Sequence, residues 1–174
     1  MTNEMIDSTS HNGFNFKEVS LNDVILAVAH FSSQATGTDG IPHRVIAQSL
    51  PTIGPYLVKL FNESLIGGVF PTTWKRSLLV AIKKTSAPSS PSDFRPVALL
   101  CFLAKVLEKL AHDQITEYLH KKKLLDPLQT GFRPYSSCET ALIKLTEDIR
   151  SGRNKRLLTL LLQFDFSKAY LLQS

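Results

Sequence analysis

Leu21, Val24, Ile25, Val28 and Phe31 recur at helical spacing behind Ser20 and Asp23, which stand in capping-box register. A helix is therefore expected from residue 20, with Gly37 ending the pattern. Thr38-Asp39-Gly40 followed by Ile41-Pro42 predicts a tight turn, because Asp and Gly tolerate positive φ. A short helix over 43–50 is expected next. Pro55 then fits the first turn of another, with Leu57, Leu60, Phe61 and Leu65 inward and Gly67-Gly68 closing it. Residues 77–82 form an apolar run of strand length, followed by Lys83-Lys84 and a Ser/Pro-rich loop over 85–92 that reads as mobile. Leu103, Val106, Leu107, Leu110, Ile115 and Leu119 mark a long amphipathic helix ending in Lys121-Lys122-Lys123, where positive charge suits the helix C-terminus. Residues 129–134 read as a loop. Ser136 and Glu139 then predict a capped helix with Leu142, Leu145 and Ile149 inward and Gly152 past its end. Residues 157–166 are apolar on both faces, as in a buried central strand.

Residues 1–16 are polar and without period, and the lead-in to residue 18 is expected to be disordered. With 174 residues, 43% of them hydrophobic, the chain is long enough for one core. The longest uninterrupted apolar stretch, residues 97–104, falls far short of the ~20 residues a membrane helix needs. The N-terminus carries no basic-then-apolar leader, so a soluble intracellular protein is expected, in nucleus or cytoplasm. Cys101 and Cys138 lack metal-ligand spacing and read as small buried thiols. His30, His43, His112 and His120 share no zinc-site pattern.

The net charge of +5 conceals an asymmetry: residues 1–40 carry net −4 and the rest net +9. A basic body suits a polyanionic partner such as nucleic acid, although surplus lysine also serves solubility. Lys75, Arg76, Lys83, Lys84 and Arg95 flank the strand and loop. Such a charged hairpin can grip phosphates, or can simply solvate and protect a sheet edge. Asp165 stands inside Leu160-Leu161-Leu162-Gln163-Phe164-Asp165-Phe166, where an unpaired buried carboxylate would cost several kcal/mol. It must be exposed, paired or metal-bound, or the strand ends at Phe164 and Asp165 caps a turn. Glu147-Asp148 reads as a solvated helix face.

Taken in order, Gly37-Thr38-Asp39-Gly40-Ile41-Pro42, Phe70-Pro71-Thr72-Thr73-Trp74-Lys75, Ile82-Lys83-Lys84, Asp93-Phe94-Arg95-Pro96-Val97-Ala98-Leu99-Leu100, Gln129-Thr130-Gly131-Phe132-Arg133 and Phe164-Asp165-Phe166-Ser167-Lys168-Ala169-Tyr170 resemble the reverse transcriptase of non-LTR, LINE-type retrotransposons. The resemblance implies an α+β fold: a mostly helical fingers region over 19–156 with a short β-hairpin, then the first palm strand over 157–174. It implies an RNA-directed DNA polymerase working on an RNA template, a DNA primer and deoxynucleoside triphosphates. Asp165 would be the catalytic carboxylate and a ligand of two Mg2+ ions. Phe166, Ser167, Lys168 and Ala169 would approach the incoming triphosphate, and Tyr170 would stack under its sugar. Lys83, Lys84 and Arg95 would contact triphosphate or template. Gly131, Phe132 and Arg133 would lie on the template–primer track, and Lys75 and Arg76 would add nucleic-acid contacts.

The chain departs from the family pattern after Tyr170, where Leu171 replaces a second Asp, and it lacks the later Asp-Asp pair. The expectation is therefore an N-terminal fragment, inactive alone. The alternatives are a non-catalytic nucleic-acid-binding module and a decayed retrotransposon open reading frame.

Overall fold

The computed structural model describes residues 13–165, so the reading of residues 166–170 lies outside the described residues. The chain divides into two compact units, Met1–Leu124 and Leu125–Ser174. Its elements are α1 (Leu21–Ala29), α2 (His43–Gly67), β1 (Leu78–Lys83), β2 (Phe94–Leu99), α3 (Phe102–Lys121) and α4 (Cys138–Asn154). This is an α+β fold, as the sequence predicts.

The first unit is built on α1, α2 and α3 around one apolar cluster that includes Val24, Val28, Ile46, Leu57, Phe61 and Val106. Phe61 is wholly enclosed, at 0% exposure. The capping box opens α1 as expected: Asp23 N–H donates to Ser20 Oγ at 3.3 Å, and Ser20 N–H donates to Asp23 Oδ2 at 2.8 Å. The helix ends at Ala29, well before Gly37. Its buried face is Val24, Ala27 and Val28, leaving Leu21 and Ile25 exposed.

The two helices expected over 43–50 and from Pro55 are a single 25-residue helix containing Pro51 and Pro55. Proline usually breaks a helix because it lacks an N–H and crowds the preceding turn. Here both prolines lie on the exposed side, where water can satisfy the freed carbonyls. The inward stripe of Ile46, Gly54, Leu57, Phe61, Ser64 and Leu65 runs without interruption past them. Tertiary burial thus overrides the local signal.

The disordered lead-in does not extend to residues 13–19, which form an extended strap tied down by two amide side chains. Val19 N–H donates to Asn62 Oδ1 at 2.7 Å, and Asn62 Nδ2 donates back to Val19 O at 3.0 Å. Lys17 N–H donates to Gln114 Oε1 at 2.7 Å, and Gln114 Nε2 donates to Lys17 O at 3.0 Å. Each amide supplies the donor and acceptor that a neighbouring strand would otherwise provide. Phe16 packs against the core and Val19 is buried in it.

Gly37 does not cap α1 but lies buried against the start of α3. A Cβ placed there would fall within 2.6 Å of Cys101 Cα and closer still to Cys101 N. The turn after it forms as expected, with Gly40 at φ +66° and its N–H donating to Gly37 O at 3.2 Å.

In the second unit, α4 is capped by Ser137 with Thr140, one residue later than the expected pair Ser136 and Glu139. It buries no residue, so Leu142, Leu145 and Ile149 do not face a core among the described residues. Gly152 sits within the helix rather than past its end. Its missing side chain leaves room for Thr159, whose Oγ1 would lie 2.6 Å from an added Cβ. Residues 157–165 are not a buried strand: they carry no regular secondary structure, pair with no strand among the described residues and are exposed, with Leu158 at 96%. A strand exists only with a hydrogen-bonding neighbour, and β1–β2 is the only sheet among the described residues. Cys101 is buried as expected, but Cys138 is exposed at the first turn of α4.

Replacing Gly37 by Ala is expected to destabilise the first unit by about 1–3 kcal/mol, because backbone atoms must shift to admit the methyl. Thermal or urea unfolding measures this. A change of less than about 0.5 kcal/mol would show that the contact is slack.

Candidate nucleic-acid and nucleotide interface

The hairpin carries most of the candidate cations. β1 and β2 pair antiparallel with Ile82 opposite Arg95 and Lys83 opposite Phe94. Side chains alternate faces along a strand, so Arg95 shares a face with Leu78, Val80, Ile82 and Val97, while Lys83 shares the other with Leu79, Ala81 and Phe94. Lys83 and Arg95, grouped as one set of candidate cations from the sequence, therefore address opposite sides of the ribbon.

Lys84 has a local task. Its N–H donates to Asp93 O at 2.7 Å, and its Nζ donates to Ser92 O at 2.8 Å. Lys75 closes a short 3₁₀ turn over Thr72–Lys75, and Arg76 leads into β1. At ~3.3 Å per residue they stand roughly 20 Å along the strand from Lys83. The five cations that look like one cluster in sequence thus occupy two ends and two faces of the hairpin, a spread suited to several phosphates of one strand.

The loop between the strands is braced, contrary to its mobile reading. The Asp93 carboxylate accepts from Ser89 N–H at 2.8 Å and Ser90 N–H at 2.9 Å. These backbone bonds, from Ser89 and then Ser90, hold its carboxyl below the usual carboxylate range. The sequence reading missed Asp93 as the knot of this loop. Its signal was present, since Ser90 to Asp93 repeats the spacing of Ser20 to Asp23.

Gly131, Phe132 and Arg133 form part of a self-braced turn in the second unit. Arg133 Nη2 donates to Asp126 O at 2.6 Å, Leu128 N–H donates to Asp126 Oδ1 at 2.7 Å, and Gln129 Nε2 donates to Gly131 O at 3.3 Å. Arg133 Nε is buried without a partner, so this guanidinium serves the loop more than it serves solvent. Phe132 at φ 58° and Tyr135 at φ 60° hold left-handed backbone conformations, and both rings are fully exposed. Such residues cost about 1 kcal/mol or more each, and commonly mark functional turns.

Asp165 is exposed, which settles its burial problem without a partner. Among the described residues no group of three or more His, Cys, Asp or Glu side chains is placed to hold a metal ion. A single carboxylate is a hard-oxygen ligand of the right type, but does not by itself fit a two-metal site. Glu147 and Asp148 are solvent-facing as expected, with Arg150 Nη1 3.3 Å from Glu147 Oε1. No helix among the described residues is long and apolar enough to cross a membrane.

Residues 82–172 match the model of the reverse transcriptase (RNA-dependent DNA polymerase) family. This stretch runs from the end of β1 through the braced loop, α3, α4 and Asp165, and the chain belongs to that family. Within it, the likeness is to enzymes of LINE-type elements. The chain is 32% identical over 95 residues to the probable RNA-directed DNA polymerase from transposon BS of Drosophila melanogaster, covering 54% of this chain and 10% of that protein. It is 28% identical over 132 residues to the RNA-directed DNA polymerase from mobile element jockey of the same fly, covering 75% and 14%. It is 27% identical over 139 residues to the retrovirus-related Pol polyprotein from type-1 retrotransposable element R1 of Bradysia coprophila, covering 79% and 14%. The matched segment thus spans 10 to 14% of these relatives' own length.

The Asp93 carboxylate is depressed in the folded chain, so its bracing is complete above the ordinary carboxylate pKa of ~3.9 and is lost as pH falls through the lower folded value. NMR titration is expected to place the Asp93 midpoint below that of an unstructured Asp, with the Ser89 and Ser90 amide shifts following it. Asp93→Asn should speed exchange of those two amides at neutral pH. An ordinary Asp midpoint would contradict the brace.

Proposed function

We infer that this chain is the fingers region and opening palm segment of an RNA-directed DNA polymerase of a LINE-type retrotransposon. The reading places fingers over 19–156 and palm from 157. The observation that carries it is Asp165: an acid ending an apolar run, inside the family-matched stretch, exposed and with no ion-pair or hydrogen-bond partner among the described residues. In the complete enzyme Asp165 would be one ligand of a divalent ion, Mg2+ by the resemblance, which when bound supplies charge neutralisation at the transferring phosphate. Phe166 to Ala169 would line the triphosphate and Tyr170 the sugar. Lys83 and Arg95, on opposite faces of one ribbon, suit separate tasks: one toward the nucleotide, the other toward the template strand. Phe132, with its ring in solvent, suits stacking on an unpaired base.

The 174 residues as they stand carry one carboxylate of a site that needs several, so the chain alone would bind nucleic acid without extending a primer. A non-catalytic binding role is favoured for the isolated chain by the same fact.

Two measurements test the reading. Primer extension on an RNA template by this chain with Mg2+ and deoxynucleotides is expected to be nil. A chimera joining residues 1–174 to the downstream palm and thumb of the jockey relative is expected to extend, and Asp165→Asn should reduce its rate on the order of 10³-fold. Extension by the chain alone, or a chimera indifferent to Asp165→Asn, would overturn the assignment.

A further inference from the structure

We propose that the pocket where the strap crosses the last turns of α3 is a second contact site for single-stranded nucleic acid. It would take one nucleotide unit, with the phosphate on lysines and the base against an aromatic pair. The proposal rests on the nucleic-acid partner inferred above, but uses none of the residues assigned there.

The cavity measures about 320 Å³ and is lined by Phe14, Lys17, Glu117, Tyr118, Lys121 and Lys122 among others. That volume lies at the small end of ligand sites. Lysines at a helix C-terminus alone would need no ligand, since they complement the helix dipole. Lys17 and Phe14 are not on the helix, however. They come from a segment about a hundred residues away in sequence, and the Gln114 clamp holds both backbone groups of Lys17 at the rim. Phe14 meets Tyr118 edge to face, with ring centroids 5.3 Å apart, and meets Phe16 at 4.8 Å.

The three ammonium groups have no ion-pair partner among the described residues, in contrast to Lys59, Lys109 and Arg150, each of which has an acid neighbour. One carboxylate, Glu117, faces them. Unpaired cations around aromatic rings are the combination that binds single strands without reading their sequence. An acidic peptide could use the lysines but has no planar base to lay against the aromatic wall of Phe14 and Tyr118. The 20-residue α3 separates this pocket from the root of the hairpin by roughly 30 Å, so one strand touching both would span several nucleotides.

Fluorescence anisotropy of the 174-residue chain with a labelled 15-nucleotide single-stranded RNA, over a series of salt concentrations, tests the site. Lys121→Ala with Lys122→Ala is expected to weaken binding about tenfold at low salt and to lower the salt slope by about 0.7, the share of one phosphate. Phe14→Leu, which keeps an apolar group under the strap, should weaken binding severalfold with the slope unchanged. Crosslinking with 4-thiouridine RNA should yield adducts on peptides carrying Phe14 or Tyr118. Wild-type affinity and slope in the lysine double variant, or adducts confined to other peptides, would overturn the pocket. Equal competition by polyglutamate would overturn its assignment to nucleic acid. Lys83→Ala with Arg95→Ala, run alongside, reports on the hairpin separately: loss there with intact pocket variants refutes this proposal alone, and the reverse refutes the hairpin reading alone.

Discussion

The first unit depends on one packing event, the enclosure of Phe61 in the core cluster that α1, α2 and α3 share. Burying such a ring contributes about 1.5–3 kcal/mol by itself, and its neighbours Val24, Val28 and Val106 are equally shut off from water. The cluster also sets the register of everything attached to it. α2 continues past its prolines, so that Ile46 before them and Phe61 after them reach the same core. α3 must start at Phe102 for Val106 and Leu107 to reach the same core. The backbone around Cys101 is thereby pressed against Gly37, and only two residues, Leu100 and Cys101, separate β2 from α3. The hairpin and its cations are thus mounted on the core through a very short tether.

Much of this was legible in the residues, and the misses have a common cause. Ser20 with Asp23, the turn at Gly40 and the periodic face of α3 as far as Leu110 are local signals, and each formed as read, whereas Ile115 on the same predicted face is exposed. The split of α2 failed because Pro51 and Pro55 are strong local signals that a continuous buried stripe outweighs. Asn62 and Gln114 were unreadable for the opposite reason. Polar residues on helices look like solvent-facing positions until a chain segment far away in sequence is laid across them. The strand expected over 157–166 failed because burial belongs to a sheet, and composition cannot supply the neighbouring strands.

The site was legible as a set of residue types but not as a geometry. Motif order was sufficient for the reverse transcriptase family, and the family match over residues 82–172 agrees with it. Order along the chain cannot say that Lys83 and Arg95 face apart, that Lys84 is occupied by Ser92, or that Arg133 is turned inward on Asp126. Those distinctions come from strand alternation and from which backbone groups needed partners. They divide the cations into those free for a ligand and those already engaged in holding the loops.

The strap's attachment has a dynamic consequence. A strand in a sheet is held by a cooperative ladder, whereas the backbone of this segment is clamped, among the described residues, at two separate points, Lys17 by Gln114 and Val19 by Asn62. The outer fastening can open while the inner one stays closed, since Val19 is anchored in the core and Lys17 is exposed. Opening of this kind draws on local rather than global stability. Residues 13–17 can therefore lift away from α3 and dissolve the lysine pocket at its end without disturbing the helices, which makes that surface adjustable independently of the fold that carries it.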